Sequence, residues 1–435
     1  MGIDTGGNNR NDILAWRVYN LMENAAERQG NNAGGCNMRR IFSVTGMALA
    51  LAIGWGMGLG ADGQGKEAKW EGERSKENGV EVVRNPAAPQ FGVVNLDLRE
   101  TAAIAHGENE QDVFQRIEAM AVAPDNSLYA LDARQCAVYR FDQNGAYKGR
   151  FGKKGEGPGD FKYPSDLAWG VNGNLYFLDE SFISSFSPNG DLLEQIKLPS
   201  RSDVFCPLSG GGFILSGMVF MEKDSGFAVA HHDGRDGKKD LFRVMSKKIT
   251  MRQSGKKYTS YFVNHVYEPQ VALAPAADGG CVFGYGAEYA MQVFDGSGTL
   301  RRRIIVAEKP IKIAEAEKKN IYDHSAIKLE AKWSKAVLQE AVQFPAHRPF
   351  FNRILADGQG RLFVFRVESV LTADKNGAAR ADLFSRDGRF LQEVRLPFAP
   401  DLIHRGTLYR IHEDPETGDI AIRLYRVLNW AQLKE

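Results

Sequence analysis

The 435-residue sequence predicts an all-β fold, a six-bladed β-propeller closed by an N-terminal strand and interrupted by one helical insertion. Three observations predict it. A strand-and-turn unit recurs along the chain. A turn led by phenylalanine recurs four times. The last unit lacks one strand, which the N-terminal part of the chain can supply.

The unit is clearest where Asn126-Ser127-Leu128-Tyr129-Ala130-Leu131-Asp132 aligns with Gly173-Asn174-Leu175-Tyr176-Phe177-Leu178-Asp179. Each copy follows an apolar strand, 117–122 or 165–169, and precedes a third strand and a turn. Further copies of the second strand begin at Phe213, Cys281, Leu362 and Ile420, which makes six units. The recurring turn is Phe141-Asp142-Gln143-Asn144-Gly145, Phe186-Ser187-Pro188-Asn189-Gly190, Phe294-Asp295-Gly296-Ser297-Gly298 and Phe384-Ser385-Arg386-Asp387-Gly388. Phe packs between neighbouring sheets, while the polar pair and Gly admit the positive φ of a tight hairpin. Short four-stranded sheets repeated in this way make a propeller, which leaves only short edges. The sixth unit runs out near Trp430 after three strands, and the alternating segment 91–98 is expected to complete it.

The other segments have different signatures. Residues 1–37 form a polar, Asn/Gly-rich extension, and translation is expected to start at Met38. Residues 38–61 open on Met38-Arg39-Arg40 and continue uncharged to Ala61. That is a basic region, an apolar region and small residues, the pattern of a secretory signal peptide; uncleaved, it is long enough to anchor in a membrane. Residues 62–90 have the composition of a disordered linker, and the propeller is expected over 91–430. Within it, 311–344 is rich in Ala, Glu and Lys. Leu329, Trp333, Val337 and Ala341 fall at helical spacing with Leu338 and Val342 beside them, before Pro345 and Pro349.

Bulk properties narrow the function. With 55 basic and 54 acidic residues the net charge is +1, without the clustered basic excess of a nucleic-acid binder. The run Arg301-Arg302-Arg303 reads as a solvated strand edge. Four cysteines, none in a CxxC pair, give neither a disulfide framework nor a zinc site, and Cys136 and Cys281 read as apolar strand residues. The glycine-rich run 152–159 lacks the GK[ST] ending of a phosphate loop and leads into a strand, so it reads as a crossing between blades.

That crossing carries a family likeness. Gly149-Arg150-Phe151-Gly152-Lys153-Lys154-Gly155-Glu156-Gly157-Pro158-Gly159-Asp160-Phe161, with Tyr163-Pro164 and the unit through Asp179, resembles the bacterial six-bladed β-propeller family related to NHL-repeat proteins. Pro349 to Val364 is similar to it as well. The resemblance implies a fold and an exported location in bacteria, and no particular reaction.

Ligands of propellers sit at the channel mouth, near the start of each innermost strand. The alignment puts Arg116, Glu118, Tyr163, Asp166, His265, Tyr267, Glu268, Asn352, Arg353, His404 and Arg405 there. This favours an exported binding or interaction module, periplasmic or secreted, that presents a site for a protein or a small anionic ligand. Arg116, Arg353 and Arg405 would receive the anion. No cofactor is expected, and membrane contact is expected only through 41–61 if that segment is uncleaved. The alternative is a metal-dependent hydrolase or lyase at the same mouth. Calcium-dependent lactonases among related propellers would require Glu118, Asn352 and Asp166 as oxygen ligands; amidating lyases would require zinc on His265 and His404.

Overall fold

A computed structural model describes residues 69–109, 112–220, 224–235, 237–247, 249–254, 257–262, 264–324, 342–373 and 377–435. Blade 1 contains the strands Ile117–Val122, Leu128–Asp132, Ala137–Phe141 and Tyr147–Phe151. Blade 2 contains Pro164–Trp169, Leu175–Asp179, Phe182–Phe186 and Leu192–Lys197. Blade 3 contains Val204–Pro207, Phe213–Phe220, Asp224–His232 and Lys238–Lys247. Blade 4 contains Val271–Pro275, Cys281–Tyr285, Ala290–Phe294 and Leu300–Val306. Blade 5 contains Phe351–Ala356, Leu362–Arg366, Ala379–Phe384 and Phe390–Leu396. Blade 6 contains Leu402–His404, Thr407–Glu413 and Ile420–Val427, and its fourth strand is Leu98–Ile104. The innermost strands adjoin in ring order, and Leu402–His404 returns to Ile117–Val122.

The core consists of six apolar layers, one at each blade–blade interface. Strand periodicity feeds two layers from one strand. In Leu128–Asp132, Leu128 and Ala130 face blade 6, whereas Tyr129 and Leu131 face blade 2. Leu362 and Val364 likewise face blade 4, with Phe363 and Phe365 facing blade 6. A strand buried on both faces reads as a continuous apolar run, which is why the second strands were the clearest repeats. The five starts at Leu128, Leu175, Phe213, Cys281 and Leu362 coincide with second strands. Ile420 instead begins the third strand of blade 6; its second strand, Thr407–Glu413, follows the tight turn at Arg405-Gly406, both at positive φ.

The four Phe turns share one structure. Phe141, Phe186, Phe294 and Phe384 are buried, and a β-bulge follows the residue before each. The next side chain, Asp142, Ser187, Asp295 or Ser385, accepts backbone N–H bonds from within the turn. The closing glycines have φ of 75–94°. Each presses on the preceding blade: Gly190 on Phe151, Gly298 on His231, Gly388 on Ile304, and Gly145 on Ile104 of the closing strand.

Several expectations are corrected. The segment 91–98 does not close the ring. Val93–Asn95 pairs in parallel with the outer strand of blade 5, and Leu98–Ile104 pairs antiparallel with Ile420–Val427. The closing strand is solvated on one side and shows only weak alternation, so its neighbour looked the better candidate. The stretch 62–90 is not wholly a disordered linker, because Glu73–Glu77 and Val80–Asn85 form a hairpin. Its second strand pairs in parallel with Leu300–Val306 and buries Val82 and Val83 completely. The averaged composition hid the Asn78-Gly79 turn that nucleates it. The same hairpin covers the supposed edge at Arg301-Arg302-Arg303, where Arg302 pairs with Glu81. Asn85, 1% exposed, staples the hairpin to blade 5: it accepts from the Phe390 N–H at 2.8 Å and the Trp70 indole at 3.0 Å, and donates to Gly388 O at 2.9 Å.

In the insertion, Glu315–His324 is helical. Val342, expected on the helical stripe, is a buried strand residue paired alongside Asn264. Leu329, Trp333, Val337, Leu338 and Ala341 lie outside the described residues, as do 1–37 and 38–61. Cys136 sits at φ 54° just before its strand, and Cys136, Cys206 and Cys281 are buried free thiols.

Three substitutions test this architecture. Gly190→Ala meets both a left-handed backbone and the Phe151 ring, 2.5 Å from the new Cβ, and should cost about 2–4 kcal/mol in urea denaturation. Gly173→Ala has the same sign of φ but open space around it, and should cost only about 1 kcal/mol. Asn85→Ala leaves a buried donor and acceptor unpaired and should cost about 2–3 kcal/mol by the same assay.

Candidate functional site

Each innermost strand starts at the channel end reached from the inter-blade crossing. In blades 1, 2 and 5 that start carries a β-bulge, and Glu118, Ser165 and Asn352 are the extra residues. Bulges re-aim side chains and recur beside binding sites. The aspartates that close two second strands anchor this end. Asp132 accepts the N–H groups of Gln115, Arg134 and Gln135; Asp179 accepts those of Lys162 and Tyr163 at 2.6 and 2.7 Å. The repeated Asp therefore holds each crossing against its blade.

At this mouth Arg116 pairs with Glu118. Asp166, next round the ring, accepts from its neighbour Leu167 N–H at 2.8 Å and from Phe205 N–H of blade 3 at 3.1 Å. Burial pushes the Asp166 carboxyl up to about 7; the two N–H bonds oppose the rise and the nearby Glu118 charge adds to it. The residue as a whole is half-buried. Arg353 lies across a Phe365 ring at 4.8 Å and 3.9 Å from Asp401 of blade 6. Burial lowers the Arg353 pKa against the pull of Asp401, and raises that of Asp401 against Arg353 and the Ile411 N–H bond. Tyr163 stands exposed at the rim.

Arg116, Glu118, Tyr163, Asp166, Asn352 and Arg353 thus share the predicted end of the channel. His404 and Arg405 do not. They occupy the turn after the innermost strand of blade 6, where the His404 ring packs on Gly358 and the Arg405 N–H donates to Asp357 O. That is the opposite end, and the three expected arginines do not converge. The misplacement follows from the shifted reading of blade 6, whose mouth residue is Asp401. Asp203, 3.8 Å from Arg201, holds the corresponding place in blade 3. Pro400-Asp401 ahead of a short apolar strand was the available signal. Tyr267, at φ 60°, is structural: its hydroxyl donates to Glu317 and accepts from Val370 N–H, which ties the insertion to blade 5. His265 pairs along the backbone with Gln343, and the Glu268 carbonyl accepts from Gln270.

Two of the three oxygen ligands named for calcium already have protein partners. Glu118 is committed to Arg116, Asp166 to two N–H groups, and Asn352 is exposed on its bulge. Among the described residues no three His, Cys, Asp or Glu side chains gather at metal-binding distance.

Asp166 makes stability depend on pH. Its folded pKa lies above the unfolded value of 3.8, so the folded state holds the proton more tightly. That stabilisation is complete below pH 3.8 and is lost as pH rises through 7. Allowing for residual solvent, the loss should be about 2–3 kcal/mol. Urea denaturation at several pH values should show this fall in wild type and its absence in Asp166→Asn, whose single amide oxygen keeps an acceptor for one of the two N–H groups.

Residues 109–271 match the model of a family (DUF5128) described as a 6-bladed beta-propeller. No curated protein matches the chain. Among solved structures, a putative exported protein from Bacteroides fragilis is 11% identical, with a TM-score of 0.45 over 79% of this chain and 99% of that one. A member of the DUF4221 family from Bacteroides vulgatus is 11% identical, with a TM-score of 0.41 over 77% and 99%. A gluconolactonase from Xanthomonas campestris is 10% identical, with a TM-score of 0.39 over 76% and 89%. The ring of six sheets and the family match over 109–271 agree: this chain is a six-bladed β-propeller.

Proposed function

We propose that this propeller is an exported binding module whose ligand docks at the strand-start mouth of the channel. The observation that carries the reading is the ring of polar side chains there: Arg116 and Glu118, Asp166, Asp203, and Arg353 with Asp401. Perturbed ionisable groups lining a channel are the usual mark of a site. The ligand is a small anion bearing hydroxyl groups. Its carboxylate takes the fork of Arg353, whose 3.9 Å contact with Asp401 leaves N–H groups to give, or exchanges with Glu118 on Arg116. Asp166, able to hold a proton near neutral pH, donates to or accepts from a ligand hydroxyl. Export rests on the signal-like residues 38–61. Among the described residues no helix is long and apolar enough to cross a membrane.

A thermal-shift screen of hydroxylated carboxylates such as tartrate and gluconate tests the site. Compounds that stabilise wild type should lose the effect in the Arg116→Ala/Arg353→Ala double variant and keep it in Arg405→Ala. Stabilisation that survives the double variant refutes the reading.

A further inference from the structure

A cleft of about 690 Å³ lies between blades 4 and 5, at the end of the propeller opposite the channel mouth. Its walls are the first turns of the two blades and the Phe384 turn of blade 5. Val282, Val293, Ile304 and Leu362 give it an aliphatic floor. The volume falls within the range of small-molecule pockets and is far too small for a folded partner.

The rim carries four arginines and three acids, and three of the arginines are held in place in advance. Arg302 is held by Glu81 at 2.7 Å and by Arg386 O at 3.0 Å. Arg389 is held by Asp387, which also receives Arg74 from the N-terminal hairpin. Arg361 is spent on Asp357, Gln359 and the carbonyls of Leu433 and Lys434. Arg386 differs. It is exposed, and its guanidinium has no partner among the described residues, although its stem is fixed beside Gly360. At Gly360, φ +98°, a Cβ would strike Ala277 at 2.8 Å, so the two turns meet where the cleft begins. Asp278 and Glu435 also line it and form no ion pair with its arginines among the described residues; Arg386 is the arginine there whose guanidinium has no tether.

We propose that this cleft binds an organic anion with an apolar body, its carboxylate on Arg386 and its hydrocarbon on the aliphatic floor. A planar guanidinium fork matches a carboxylate bidentately, and a preformed pocket saves the ordering cost of binding. The hairpin 73–85 provides that preorganisation through Arg74, Glu81 and Asn85. The proposal is independent of the channel mouth.

The probe is 1-naphthoate, followed by calorimetry on the full chain, with 1-naphthalenemethanol as its uncharged counterpart. Wild type should bind one naphthoate saturably and at least tenfold more tightly than the alcohol. Arg386→Glu should weaken naphthoate at least tenfold. Ala277→Trp, at an exposed turn position, should block the cleft while circular dichroism stays unchanged. Asp166→Asn should bind like wild type. Absence of saturable binding overturns the proposal, as does equal affinity in Arg386→Glu, or loss of binding in Arg116→Ala/Arg353→Ala alone. If Ala277→Trp unfolds, Arg386→Glu decides.

Discussion

The molecule depends on the way blades 1, 2, 4 and 5 each grip the blade before. A phenylalanine enters the interface, a bulge turns the chain, and a glycine too small to collide lies flat on the neighbour's outer strand. Gly190 on Phe151 and Gly388 on Ile304 are two instances of one contact. No blade has a core of its own. Six thin apolar layers are shared between neighbours, so each sheet is stable only with both flanks covered. Gly145 on Ile104 is the instance that joins blade 1 to blade 6, and a ring that failed there would leave each of them with one bare face.

The same constraint shapes the two ends of the channel differently. Where the chain crosses between blades, Asp132 and Asp179 bind backbone N–H groups, and bulges push Glu118 and Asn352 out of register. Polar side chains of blades 1 and 2, and of blades 5 and 6, are thereby brought near one another. At the other end, the first turns of blades 4 and 5 close on Gly360 and open a cleft above it. A propeller offers such clefts at any interface; here the N-terminal hairpin builds one wall out by adding two strands to blade 4.

How much was legible in the sequence follows from burial. Second strands, buried on both faces, read as apolar runs, and five of six starts fell in place. The Phe turns were legible because their geometry demands particular residues. The closing strand Leu98–Ile104 was not: one face meets water, and Arg99, Glu100 and Thr101 mask its period. The hairpin at 73–85 was lost in a polar average, although Asn78-Gly79 marked it. Of the residues expected at the mouth, those of blades 1, 2 and 5 do lie at the starts of innermost strands, because the alignment there was sound. His404 and Arg405 were not, because one turn in blade 6 was counted as the wrong strand. The cleft residues could not be found at all, since Val282, Leu362 and Arg386 are ordinary members of their strands and turns and become a site only when two blades meet.

The outermost strands of blades 4, 5 and 6 come from residues 73–104, and they pair with partners more than 200 residues later in the chain. A ribosome therefore makes first what the fold uses last. Until the C-terminal half exists, this segment has only its own hairpin to pair with, and the chain behind it stays an open, unfinished arc. Long-range closure of that kind is slow. It also lengthens the time during which the unfinished arc shows a bare blade face and unpaired strand edges.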